Sequence, residues 1–145
     1  MKYLNMFLIG LVVLVVAFFV MFRDRPDPNL QQQTNKSLFE TQASEQGSVS
    51  IKVTPEGLSE GKGKFKIVFD THSVELDQDL LQIAVLTDDQ GNIYKPTRWE
   101  GSGPGGHHRE GALVFDSIND ASSYMELNIK DVGGVPERLF KWNLK

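Results

Sequence analysis

The 145-residue chain has three histidines, and all of them fall in two short segments. His72 lies in DTHSVELDQD (residues 70–79), and His107 and His108 lie in GGHHREG (residues 105–111). Neutral imidazole suits zinc, copper and nickel, and Asp70, Asp77 or Glu110 could complete a coordination shell. A zinc or copper ion held by His72 with His107 or His108 is therefore one chemistry these residues suggest. Adjacent residues of an extended chain point to opposite faces, so His107 and His108 share an ion only across irregular backbone. His72 with one of the pair is the expected set. The chain has no cysteine, which excludes thiolate zinc, iron–sulfur clusters, blue copper and a cysteine nucleophile.

Other chemistries fit less well. Gly101, Gly103 and Gly106 match G-x-G-x-x-G, but a phosphate cradle must leave a strand and open a helix. Here Pro104 interrupts the motif, and a strand is expected to follow. Ser73 stands beside His72 and Ser102 near His107. Neighbours in sequence do not establish a nucleophile–base pair, and no G-x-S-x-G elbow is present, so a small hydrolase is a distant alternative. A calcium site from Asp77, Asp79, Asp88 and Asp89 lacks the regular loop spacing. The plain reading makes Trp99, Gly105, Gly106 and Arg109 parts of a glycine-rich crossover between sheets. In it Trp99 lids the core, a histidine bonds a backbone carbonyl, and Arg98 or Arg109 pairs with Glu100 or Glu110.

Period-two alternation supplies the elements that would carry these segments. Val49, Ile51 and Val53 share a face, as do Phe65, Ile67 and Phe69. Leu80 to Thr87 is nearly all apolar and reads as a central strand covered on both faces. Residues 88–92 (DDQGN) form a turn, and Ile93 to Pro96 returns from it. Residues 112–115 (ALVF) predict a strand. Met125, Leu127 and Ile129 alternate with Glu126, Asn128 and Lys130, and Phe140, Trp142 and Leu144 close the series. About seven short strands in residues 48–145 predict an all-β protein. Their size and number resemble an immunoglobulin-like β-sandwich, or a cupredoxin-like one. Nine phenylalanines and two tryptophans supply bulk for a core without disulfides.

Residues 1–22 predict a transmembrane helix that is an uncleaved signal anchor. Tyr3 to Phe22 carries no charge, and about twenty apolar residues span a bilayer core. The bulky Val20, Met21 and Phe22 replace the small residues of a cleavage site. Arg23 and Arg25 would sit at headgroup level. Residues 23–47, rich in Gln, Asn, Ser and Thr, predict a flexible polar tether. The expected protein is single-pass, with its C-terminal domain outside the cytoplasm. Its expected partners are the bilayer through residues 3–22 and another membrane or envelope protein. A net charge of −4 argues against nucleic acid.

THSVELDQDL and GGHHREG resemble segments of uncharacterised prokaryotic membrane-anchored β-sandwich proteins. The resemblance implies an anchored sandwich and no particular activity. The expected function is a membrane-tethered, extracytoplasmic binding or interaction module without catalysis. Metal capture by His72 with His107 or His108 is the alternative.

Overall fold

The computed structural model describes residues 39–145. The expected anchor (residues 1–22, with Tyr3 and Phe22), Arg23, Arg25 and the tether as far as residue 38 lie outside the described residues. No helix among the described residues is long and apolar enough to cross a membrane.

The described chain is all-β, with nine strands in two antiparallel sheets. The strands are β1 (Gln42–Ser44), β2 (Val49–Ser59), β3 (Lys62–Thr71), β4 (Ala84–Asp88), β5 (Ile93–Tyr94), β6 (Arg98–Gly101), β7 (His108–Asp116), β8 (Tyr124–Val132) and β9 (Val135–Asn143). A single helical turn, α1 (Leu80–Ile83), precedes β4. One sheet runs β1-β2-β3-β7-β6 and the other β5-β4-β8-β9.

The expected alternation holds where the core forms. Val49, Ile51, Val53, Phe65, Ile67, Phe69, Leu113 and Phe115 are buried from the first sheet. Leu86, Met125, Leu127, Ile129, Phe140 and Trp142 are buried from the second. Phe65 joins the two layers, edge-on to Phe115 with ring centroids 5.6 Å apart and 5.5 Å from Trp142.

Three expectations need correction. Leu80 to Thr87 is not one strand. The Asp79 carboxylate accepts the Leu81 N–H at 3.0 Å and starts α1, so β4 begins only at Ala84. Such side-chain capture of a backbone N–H competes with strand formation. The strand expected at 112–115 begins at His108, because Asp70 pairs with His108 and Ile67 with Gly111 across the ladder. Strand pairing also extends into the stretch expected to be tether. Gln42–Ser44 pairs with β2 from Val53 to Ile51.

The strand directions define two ends. Connections 45–48, 72–83, 102–107 and 133–134 gather at one, called here the loop pole. The opposite end carries the connection between β4 and β5, organised by Asp88. This buried carboxylate accepts the backbone N–H groups of Gln90 and Asn92 at 2.9 Å each, and the Asn92 amide and Tyr94 hydroxyl at 2.8 Å each. Burial by itself would raise its pKa. The hydrogen bonds outweigh burial and hold it at about 2, below the ordinary 3.8. A carboxyl with a lowered folded pKa stabilises above its unfolded value and loses that contribution as pH falls. The Asp88 contribution should therefore be complete above about pH 4 and vanish towards pH 2. Urea midpoints measured across that window should fall more steeply for the natural chain than for Asp88→Asn.

Candidate functional site

The two histidine-bearing segments meet at the loop pole. The Thr71 N–H donates to the His107 carbonyl at 2.9 Å, and Leu76 to Gly106 at 3.1 Å. The Gly105 N–H donates to the Leu76 carbonyl at 2.9 Å, and Gly106 to Glu75 Oε2 at 2.8 Å. The β3–α1 connection and the β6–β7 loop are thus zipped backbone to backbone. The crossover between sheets expected of this loop from sequence is not formed. Strands β6 and β7 are neighbours in one sheet, with Trp99 opposite Leu113 and Gly101 opposite Gly111.

Arg109 holds this pole from inside. In β7 it follows His108, and alternation turns it to the inner face, where it is only 5% exposed. Its guanidinium donates to the carbonyls of Gln78 at 2.7 Å, Leu76 at 3.4 Å and Ser102 at 3.3 Å. Its Cζ lies 5.4 Å from the Trp99 ring centroid, a cation–π distance. Trp99 also donates its indole N–H to Ser102 O at 2.8 Å. The glycines opposite each other make room for this ring. A Cβ on Gly111 would lie 2.7 Å from Trp99 Cζ2 and 2.5 Å from Gly101 Cα. Of the pairings expected for Arg98 or Arg109 with Glu100 or Glu110, the one formed is Arg98 with Glu100, at 2.7 Å. Lys66 pairs with Glu110 at 3.9 Å.

The histidines take separate positions. His108 Nδ1 lies 2.6 Å from Asp70 Oδ1 on the outer face of the first sheet. His107 is exposed and contributes its carbonyl to the zipper. His72 is exposed on the rim of an open hollow of about 360 Å³ lined by Glu45, Ser48, Asp70, Thr71 and Ser73. Among the described residues, no three His, Asp or Glu side chains gather around a point that could hold a metal ion. Asp79 and Asp88 stand at opposite ends of β4, so the four-aspartate calcium set does not assemble. The Ser102 hydroxyl bonds both the N–H and the carbonyl of Glu110 at 3.1 Å.

Arg138 is the residue that sequence reading passed over. It is 2% exposed and donates to the carbonyls of Gln46 at 2.6 Å, Val49 at 2.7 Å, Val132 at 3.1 Å and Ser44 at 3.2 Å. It ties the β1–β2 connection to the β8–β9 hairpin, as Arg109 ties the other two. Among the described residues neither arginine pairs with a carboxylate. Burial pulls both guanidinium groups below their ordinary pKa, yet arginine stays protonated. The available signal was alternation itself, which places an arginine on the apolar face in Arg138-Phe140-Trp142 and in Arg109-Gly111-Leu113.

No protein-family model, no curated protein and no solved structure matches this chain.

Proposed function

We propose that the chain is a membrane-tethered, extracytoplasmic binding module without catalysis, which engages a protein partner through the loop pole. The observation that carries this reading is the construction of that pole. Four connections are fixed from below by two buried arginines whose hydrogen bonds go mainly to backbone carbonyls, an arrangement suited to holding loops in shape. The described chain enters at the other end, where Phe39 contacts a hollow lined by Leu58, Ile118, Met125 and Leu144.

We read the sandwich as immunoglobulin-like. Strand order β2-β3-β7-β6 against β5-β4-β8-β9 follows the ABED and C′CFG order of that fold, with β1 added at the edge. In this correspondence 72–83 and 133–134 are the B–C and F–G loops, which lie at the antigen-binding end of antibody variable domains. The likeness is one of architecture, and the binding role rests on it by analogy. Every formally charged residue of the four loops is acidic (Glu45, Glu75, Asp77 and Asp79), which disfavours a phosphate backbone as ligand. The charge-free run from Tyr3 to Phe22 supports the anchor.

Photo-crosslinking residues placed at Asp77, Pro104 and Gln90 test the reading in intact cells. The first two sites should give one discrete adduct, and Gln90, at the opposite end, should give none. Adducts only from Gln90 would overturn it. Capture of zinc or copper by His72 with His107 or His108 has one supporting observation, the Asp70–His108 pair, which fixes that ring as a carboxylate fixes a metal-ligating histidine. Titration with either metal decides it: a saturable site lost in His72→Ala supports capture, and no saturable site removes it.

A further inference from the structure

The stretch Glu40–Gln46 runs along one side of the sandwich and touches both sheets, but the two sheets bind it differently. To β2 it adds an ordinary strand, with Gln42, Ala43 and Ser44 opposite Val53, Lys52 and Ile51. No ladder joins it to β9 among the described residues. There β9 grips it with side chains. Trp142 donates its indole N–H to the Glu40 carbonyl at 2.7 Å. The Gln42 carboxamide accepts the Lys141 N–H at 3.0 Å and donates to the Lys141 carbonyl, as a strand partner would. Arg138 donates to the carbonyls of Ser44 and Gln46.

Residues 40, 42, 44 and 46 therefore face β9 in turn, the period of an extended strand. What β9 recognises is three backbone carbonyls, one carboxamide and the Ser44 hydroxyl.

We propose that the groove between β2 and β9 is a strand-acceptor site, and that it also takes Glu40–Gln46 from a second copy of this chain, in exchange for its own. The occupant is complementary by construction, since the same residues already fit. Exchange keeps the strand pairing with β2 and the contacts with β9 and reopens only the 45–48 connection, the usual low-cost route to a swapped dimer. The segment also ends an otherwise uncovered edge problem. β9 is a nine-residue edge strand, and such edges recruit strands unless covered. A segment on a short connection returns to its own groove at millimolar effective concentration. Exchange is then favoured when copies are crowded, as on a shared surface.

The absence of cysteine makes a clean test possible in the full-length chain. Ala43 and Lys52 are exposed Cα partners, and opposed antiparallel residues lie within disulfide reach. A chain carrying both Ala43→Cys and Lys52→Cys should close internally, which verifies the register. Chains carrying only one each are then mixed and oxidised. Exchange predicts a dimer linked 43 to 52, at least about tenfold above the 43-to-64 product of an Ala43→Cys and Lys64→Cys mixture, since only the first pair is held together. Adding Gln42→Ala, which removes two hydrogen bonds, should speed the 43-to-52 link about tenfold. Equal yields from the two mixtures would overturn the proposal and leave the groove to the chain's own segment or to a foreign strand.

Discussion

Arg138→Met should lower the unfolding free energy by about 3–5 kcal/mol, a large share of the roughly 5–15 kcal/mol typical of a domain. Methionine fills much of the arginine's volume, so the change removes hydrogen bonds more than packing. Four carbonyls lose a charged donor: Ser44, Gln46, Val49 and Val132. Each bare buried acceptor costs about 1–3 kcal/mol. The sum falls short of additive, because water can reach the exposed 45–48 connection once it loosens. Arg138→Lys should recover only part of the loss, since one ammonium cannot span acceptors on both sides of the groove. Urea midpoints at constant slope measure it. A loss under about 1 kcal/mol would mean that the guanidinium does not anchor these strands.

Arg109→Met should cost about 1–3 kcal/mol, because it bares the Gln78 carbonyl while those of Leu76 and Ser102 keep the Gly105 and Trp99 N–H groups. Its more informative effect is local. Leu76, Gln78 and Ser102 share this one donor, and Trp99 loses the cation above its ring. The two loops should separate while the far end of the sandwich, held by Asp88, keeps its shape. Crosslinking from Asp77 and Pro104 should then fall at temperatures where circular dichroism still reports a folded sheet. Loss of the whole fold together with the crosslink would instead assign Arg109 to global stability.

The strands were legible because half-buried β structure writes itself as alternation. Val49-Ile51-Val53, Phe65-Ile67-Phe69 and Phe140-Trp142 all point inward as read. Alternation cannot see competition from a single side chain, which is why Asp79 turned the start of LLQIAVLT into α1. It also cannot see pairing across the chain. β1 and the first residues of β7 are polar, and only their partners Ile51–Val53 and Phe69–Asp70 make them strands. For the loops, sequence identified the two segments that meet but not what holds them. It drew attention to the histidines, which are rare, while the fixing is done by backbone zippering and by two arginines on apolar faces. An arginine reads as surface unless the register of its strand is followed to the end.

Amide hydrogen exchange on the full-length chain tests the central claim, that the loop pole is one preformed unit. The N–H groups of Thr71, Leu76 and Gly105 reach across between connections at 2.9–3.1 Å. A rigid pole predicts that all three exchange slowly, with protection approaching that of Phe65 and Leu127 in the core. Exchange at the rate of an open loop would show that the two segments are not joined in solution, and the binding surface proposed for them would go with that contact.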